Sequence, residues 1–512
     1  MRLTGFIGML LVCGAVATQA QTTNNAVRPL SLKECIDRAL EHNLDLKIER
    51  YAPELAQFAL SGSYGVYDPV LGFAATRAYS DQPGSWDPHK ENPNFPYLLD
   101  RDSFGPELSG RLPTGLSYDA KAKVDRLDAI TDFNPVPTAG AHFPPTGIRR
   151  TNDYFATATI TLKQPLLKNA WIDAERRQTW SNKKALKMSE AALRRRMMEV
   201  ITQVQLTYFD LVAARERIKL EQKALELAEL LVTQARKKVE VGELPPLEAK
   251  QAEAQVESVQ TDLYFAQETY DVLQNSLKSL ITDDVQAWLD ATLEPTDSLT
   301  SVVEPYDKAE SYYKAMTGRP DLLEARLDLE RQDINLRYTR NQLFPNLDLV
   351  GSYGSTAIER NLRGAAGDIG DRDHPNYSYG VILSFPWSNR AARNNRKAAQ
   401  ATKEQALLRL KKIENDILIQ VDSSVKAAES ALKRVNSTMK ARTFAELALE
   451  AETRKLQAGT STSFVVLQLQ RNLTAARTAE VRALVDHNKA RAQLALNEGS
   501  TLAKHQLDLI AR

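Results

Sequence analysis

From Trp387 to the C-terminus the chain has no proline. Between Asn389 and Gln457 the apolar residues Leu410, Ile413, Ile417, Val421, Val425, Ala428, Leu432, Val435 and Met439 recur every three or four positions. That spacing is one face of an α-helix. The run is 69 residues long, so a single helix would reach roughly 100 Å. Helices of ordinary globular domains average about three turns, and one this long needs a partner of comparable length. The chain offers such a partner. From about Ala170 to Val241, the residues Ile218, Leu225, Val232 and Val239 fall at strict seven-residue intervals, the period of a coiled coil.

The two runs belong to a tandem repeat. Asn43-Leu44-Asp45-Leu46 is matched 276 residues later by Arg319-Pro320-Asp321-Leu322, and Asp68-Pro69-Val70-Leu71 at the same offset by Phe344-Pro345-Asn346-Leu347. With an offset of 217, Ile201-Thr202-Gln203-Val204 meets Leu418-Ile419-Gln420-Val421, and Lys238-Val239-Glu240-Val241-Gly242 meets Lys455-Leu456-Gln457-Ala458-Gly459. The offsets differ because Pro69 to Pro165 spans 96 positions and its counterpart, Pro345 to Pro386, spans 41. The surplus falls between about Tyr79 and Asn152, where Gln82-Pro83-Gly84 and Pro135-Val136-Pro137 read as surface loops. Residues 21–281 are expected to form a first repeat: a helix, strands with an extra loop or hairpin at 80–152, and a long helical hairpin at 170–281. Residues 282–512 form the second: a connector at 282–305, a helix at 306–342, strands at 345–386, a long helical hairpin at 389–497 and a tail at 498–512.

A second period runs through the segments before the long helices. In Tyr154–Lys163, Tyr154, Ala156, Ala158, Ile160 and Leu162 share one face, and Phe155, Thr157, Thr159, Thr161 and Lys163 the other. Leu116–Asp125 alternates in the same way, and Tyr377, Tyr379, Val381, Leu383 and Phe385 line up together. Alternation over about ten residues, apolar on one side and polar on the other, is the pattern of a membrane-barrel strand. Half-buried strands of soluble sheets read the same way; their company with oversized helices favours the barrel.

The first 20 residues read as a secretory leader: Arg2, an apolar stretch from Phe6 to Val16, and a small residue at Ala20, with cleavage after Ala20 or Ala17. Val12 before Cys13 is a poor lipidation context. Removal of the leader leaves Cys35 alone, expected to be a small buried side chain. Mean hydropathy is −0.39, and no apolar run beyond the leader is long enough for a transmembrane helix. The net charge of +1 offers no electrostatic case for nucleic acid. His42, His89, His142, His374, His487 and His505 are not spaced as metal ligands, and Asp283-Asp284 reads as a solvated connector. No catalytic residue, cofactor or metal site is indicated, and the chain does not read as an enzyme.

Several segments now resemble one family. Ser31 to Leu40 with Asn43 resembles the first helix of the outer membrane factors, the TolC-like outer membrane efflux proteins, and Gly318 to Leu322 the start of their second half. Leu343 to Leu347 and Val381 to Pro386 resemble strands flanking the second barrel hairpin, and Leu456 to Asn497 the closing helix. The resemblance implies an α+β membrane protein of the outer membrane of a Gram-negative-type bacterium. In it a homotrimeric β-barrel, with about four strands per protomer, continues into a long periplasmic α-helical coiled-coil tunnel. Its partners would be a periplasmic adaptor (membrane fusion) protein, an inner-membrane pump of resistance-nodulation-division or ABC type, and outer-membrane lipid. The extra segment Glu107–Arg126, with a turn at Leu112-Pro113-Thr114-Gly115, departs from the minimal family pattern: it either adds barrel strands or forms an extracellular extension, and the extension or a partial strand is the favoured expectation.

The turns Val241-Gly242-Glu243-Leu244 and Ala458-Gly459-Thr460-Ser461 occupy equivalent repeat positions. Glycine ends helices by accepting left-handed dihedrals, which accounts for Gly242 and Gly459 unaided. The resemblance implies that these turns are periplasmic tips that dock the adaptor. Many family members narrow the tunnel mouth with aspartates just past the second tip. The matching positions here are Val465 and Gln468, so an acidic ring would fall to Glu248, the repeat partner of Val465. Glu248 is equally explained as a first-turn acid favoured by the helix dipole. The functions in view are a conduit of a tripartite export system, a type I protein-secretion channel, or, in another class, a non-pore periplasmic coiled-coil protein. Alternating strands argue against the last, and two full hairpins argue against an adaptor.

Overall fold

The structure, a computed structural model, describes residues 27–82, 86–87, 92–93, 97–133, 147–242, 245–299, 306–372, 374–458 and 460–507. The expected leader and Cys13 lie outside them. The chain divides into two compact units, one made of Met1–Ile48, Arg196–Gly318 and Gln420–Arg512, the other of Glu49–Arg195 and Arg319–Ile419.

The second unit holds the main sheet. Among the described residues it has six strands: β2 (Val70–Gln82), β3 (Tyr97–Arg111), β4 (Ser117–Phe133), β5 (Gly147–Pro165), β7 (Asn346–Glu359) and β8 (Pro375–Ser384). Their order is β8-β7-β5-β4-β3-β2, antiparallel throughout. Six strands therefore stand where about four were expected, and Glu107–Arg126 is not an extension. It lies in two full strands inserted between β2 and β5. The alternation of Leu116–Asp125 did mark β4. Its neighbour β3 carries Gly105-Pro106 mid-strand, and a proline cannot donate to the ladder. The ladder of β3 with β4 skips these two residues and resumes in register at Glu107↔Lys121.

Register makes the two faces explicit. One row crosses all six strands as Leu71, Leu108, Ala120, Ile160, Tyr353 and Tyr377. The next row on the opposite face is Gly72, Glu107, Lys121, Thr159, Gly354 and Asn376. Successive strand residues point to opposite sides, so one face is apolar and the other polar along the whole sheet. On the polar face Lys121 bridges Glu107 (2.9 Å) and Asp119 (3.1 Å), Asp125 meets Arg101 (3.1 Å) and Lys123 (2.9 Å), and Lys163 meets Asp348 (2.8 Å). The apolar face ends in a charged row, Arg77, Asp102 and Arg126, with Arg77 2.6 Å from Asp100. A short helix, α7 (Leu362–Asp371), packs Ala365 against Ala156 and Ala357 on this face, small residues that let the backbones approach.

The hairpin β3–β4 closes through Leu112 and Leu116, with Gly115 at φ +87°. Its turn is seated on the start of helix α3 (Ala174–Glu240). Arg111 bonds Glu175 at 2.6 Å, and a Cβ on Gly115 would lie 2.8 Å from the Arg176 guanidinium. That guanidinium donates to the carbonyls of Asn169 (2.8 Å), Ala170 (2.9 Å) and Trp171 (3.2 Å), so the strand-to-helix passage is tied to the hairpin's turn.

The first unit is helical. Strand β1 (Val27–Leu30) pairs in parallel with β6 (Thr292–Pro295) of the connector. Helix α1 (Leu32–His42) opens on a capping box from Ser31 and Glu34 and buries Cys35, the expected lone thiol. Asn43 is buried at the break before α2 (Leu44–Gly62); it donates to the Leu280 carbonyl (3.0 Å) and accepts from the Leu46 amide (3.1 Å). The expected helix at 306–342 is likewise two helices, α5 (Lys308–Gly318) and α6 (Pro320–Asn341). The break is physical: Pro320 lacks an N–H and holds Arg319 extended. Asn43 and Arg319 are repeat partners, so both halves break at the same place.

The long elements are α3 with α4 (Pro246–Ile281), and α8 (Arg390–Gln457) with α9 (Ser463–Glu498). In α3 the heptad residue Val232 is buried and Ile218, Leu225 and Val239 are half-buried; the companion positions Ala214, Glu221, Ala228 and Ala235 are buried. In α8, Ile417, Val421, Val425, Ala428 and Val435 are buried, while Met439 is exposed. No helix among the described residues is long and apolar enough to cross a membrane.

If β3 and β4 are true wall strands, Gly105 is indispensable to their fit, because a Cβ there would land on the Ala122 carbonyl. At Gly72, on the same face, it would sit 3.8 Å from the Glu107 carbonyl. Gly105→Val should lower the yield of folded, membrane-inserted protein severalfold, and Gly72→Val should leave it near normal; overpacking costs about 1–3 kcal/mol. Heat-modifiability of the band in outer-membrane extracts checks this, and equal yields would count against the ladder.

Candidate functional site

Both helical hairpins turn in the first unit, and both turns are fixed by local chemistry. At the first, the Val241 amide donates to the Lys237 carbonyl (3.2 Å) and the Gly242 amide to Val239 (3.1 Å). Gly242 then takes φ +78° with open space around its α-carbon. Residues with a Cβ strain in that region, so the glycine is needed for the backbone and not for room. The chain re-enters a helix at Pro245-Pro246. Pro245 is extended at the N-cap and Pro246 occupies the first turn, where a missing N–H is harmless. Val241 and Gly242 are exposed; Glu243 and Leu244 lie outside the described residues.

At the second turn the Ala458 amide donates to Arg454 and the Thr460 amide reaches back to Lys455, both at 3.0 Å. The second bond reaches back five residues along the chain. Gly459 lies outside the described residues. The Ser461 hydroxyl donates to Glu452 (2.6 Å), which also takes a bond from Lys455 (3.0 Å). Ser461 first, and Lys455 after it, hold the Glu452 carboxyl below its ordinary range. A matching clamp stands behind the first turn: Lys250 (2.7 Å) and Arg236 (2.9 Å) share Glu253, and in that order they lower its carboxyl. Below it Val232 and Ala235 pack on Ala249 and Ala252.

The three candidate entrance residues separate. Glu248 is half-buried and lines a cleft of about 340 Å³ with Gln251, Phe464, Leu467 and Arg471. Val465 and Gln468 are exposed on α9 and do not line that cleft; Gln468 reaches Asn472 at 3.5 Å. So the structure brings the first turn of α4 beside the first turn of α9, through Phe464 and Leu467. The signals for Glu452 and Glu253 were present as Lys–Glu spacings of three, which surface helices carry everywhere. Among the described residues no group of His, Cys, Asp or Glu could hold a metal ion.

Comparison with known proteins fits this architecture. The pattern of the family described as outer membrane efflux protein matches residues 146–282 and 311–499, more than half of the chain. The chain is 25% identical over 299 residues to the pyoverdine export outer membrane protein OpmQ of Pseudomonas aeruginosa, covering 58% of this chain and 60% of that one. It is 23% identical over 326 residues to the outer membrane efflux protein BepC of Brucella suis, covering 62% and 66%. The matched stretches thus span less than two thirds of either relative. The solved structure of the outer-membrane channel OprN superposes with a TM-score of 0.65 at 16% identity, over 92% of this chain and 90% of that one, a likeness of fold. With two long helical hairpins, a sheet that is apolar on one face, and a match across both halves, the chain belongs to the outer membrane efflux protein family.

Proposed function

We propose that this protein is the outer-membrane conduit of a tripartite export system. It passes substrates from an inner-membrane pump and a periplasmic adaptor to the exterior. The observation that carries the reading is the sheet. One face is apolar along six strands, the other is charged, and among the described residues both outermost strands have free edges. In lipid, unpaired backbone groups have no partner, so the sheet has to close on further copies. Three copies satisfy this, and exposed apolar residues along the helices, such as Tyr264, Phe265, Val272 and Ile419, are the surfaces three copies would cover. The relatives OpmQ and BepC, named for export and efflux, support a small-molecule efflux role. A type I protein-secretion channel shares the architecture and is the second reading.

In this reading residues 21–281 and 282–512 are the two repeats, and the turns at Val241–Leu244 and Ala458–Ser461 meet the adaptor. Glu248, Val465 and Gln468 lie at the tunnel entrance, with Glu248 the acid of the three. The pump is of resistance-nodulation-division or ABC type, and the energy for transport is supplied there.

Purified in detergent, the protein should run at three times the mass of the mature chain. Light scattering or native mass spectrometry measures it, and a stable detergent-free monomer would refute the closure argument.

The tips make a second prediction. Gly242→Leu introduces left-handed strain on the order of 1–2 kcal/mol and places a side chain on the docking surface. Oligomer yield should stay near normal while export falls, and Gly242→Leu with Gly459→Leu should be worse. Cross-linking of the adaptor to Thr460→Cys reports docking directly. Normal cross-linking and export in the double variant would remove these turns as the docking site, and collapse of oligomer yield would make the glycines purely structural.

A further inference from the structure

The six-stranded sheet sets the size of the barrel. The tandem repeat pairs β2 with β7 and β5 with β8, so each half of the chain supplies two strands of the shared pattern. The hairpin β3–β4 has no counterpart in the second half. It separates β2 from β5, which the repeat would otherwise make neighbours, just as β7 and β8 are neighbours.

Three observations make this hairpin part of the wall. Its ladders with the flanking strands are continuous: β2 pairs with β3 from Val70↔Ser109 to Gln82↔Tyr97, and β4 with β5 from Ser117↔Lys163 to Phe133↔Gly147. Its faces match those of the other strands. Leu108, Phe104, Tyr118, Ala120, Ala122 and Val124 extend the apolar face, and from Tyr118 to Val124 that band is roughly 20 Å of strand at about 3.3 Å per residue. Its opposite face carries Arg101, Glu107, Asp119, Lys121, Lys123 and Asp125, most of the charge on the polar side. A segment projecting into solvent has no need of one apolar face in register with its neighbours.

The outermost strands also suit each other. β2 leads away from α2 and β8 leads back to α8, so with an even number of strands the two edges of neighbouring copies meet antiparallel. Among the described residues both edges are bare, and they are apolar on the same face. Leu71 and Phe73 are exposed on β2, and Tyr377, Tyr379, Val381 and Leu383 on β8.

We infer that β2 of one copy pairs with β8 of the next, and that six strands from each of three copies close a barrel of eighteen strands. The partner is a second copy of this chain. The inference rests on the trimeric reading above. Barrel diameter grows roughly linearly with strand number, so this barrel is about one and a half times as wide as one built from four strands per copy, and its lumen is lined by the charges of the inserted hairpin.

Disulfide trapping in the full-length protein tests it. In a Cys35→Ala background, Ala74→Cys on the polar face of β2 is combined in turn with Asn376→Cys, Ser378→Cys, Gly380→Cys and Ile382→Cys on the same face of β8. A disulfide requires α-carbons within about 7 Å. At least one pair should give linked dimers and trimers on non-reducing gels. As the counter-test, Ala74→Cys is combined with Thr157→Cys, Thr159→Cys or Thr161→Cys on β5. Those strands are three spacings apart here, roughly 14 Å at about 4.8 Å each, and should not link. Linkage of β2 to β5 within one chain, in a protein that native mass spectrometry shows to be trimeric, would overturn the eighteen-strand barrel and leave the trimer standing. A trimer with no β2–β8 linkage at any position would overturn it too. A mass other than that of three copies would instead refute the trimeric reading.

Discussion

A strand edge inside lipid leaves its N–H and C=O groups without partners, each at a cost of several kcal/mol. Among the described residues the main sheet has two open edges, on β2 and β8. In the proposed assembly, other copies answer these edges. Additional strands come in pairs, because in an antiparallel sheet an odd number would leave the chain at the wrong end of the sheet to enter α3. The insertion obeys this rule. It is a hairpin of two long strands with a tight turn, and it leaves the direction of β5 into α3 unchanged.

The helical hairpins rest on a different constraint, close approach of two long backbones. Ala228, Ala235, Ala249 and Ala252 are buried where α3 meets α4, and alanine there combines high helical propensity with little bulk. One position in the same seven-residue series is acidic. Glu221 is buried; burial first, and the like charge of Asp262 after it, push its carboxyl up, against the pull of Arg217 at 3.9 Å. Its ionised form is disfavoured in the folded helix pair. Stability from this position is therefore greater below the raised value and falls as pH rises through it. An apolar residue would pack the site without that dependence.

Periodicity decides how far the fold is legible in the sequence. The long helices were legible because Ile417, Val421, Val425, Ala428 and Val435 repeat on one face for many turns, and repetition averages out local exceptions. β5 and β4 were legible from clean alternation. β3 was not: Asp100 and Asp102 interrupt its apolar face and Gly105-Pro106 its ladder. These are features of an outer rim and a local irregularity, and a single-strand reading cannot separate them from a loop. The break at Arg319-Pro320 was written in the sequence as a proline, yet its twin at Asn43 has none and depends on a buried side-chain bond to Leu280. At the tips, the glycines announced the turns. The clamps Glu452–Ser461 and Glu253–Arg236 join residues from either side of a turn, and only the fold brings those together.

The seat of the inserted hairpin explains how a barrel can widen without disturbing the helix after it. Arg111, the last residue of β3, binds Glu175 in the first turn of α3. Gly115, at the crown of the turn, lies against the Arg176 guanidinium that gathers three carbonyls of the loop before that helix. A larger residue at Gly115 would meet that guanidinium and would also strain at φ +87°. The hairpin's closed end is thus fixed at the point where the strands give way to helices. Its length is spent along the wall, where β3 pairs with β2 along the whole of β2, and β4 with β5 along the whole of β4. Strand number and helix number are set by different parts of the chain: a hairpin inserted between β2 and β5 changes the circumference of the sheet, while α3, α4, α8 and α9 keep the seams and turns that the two halves share.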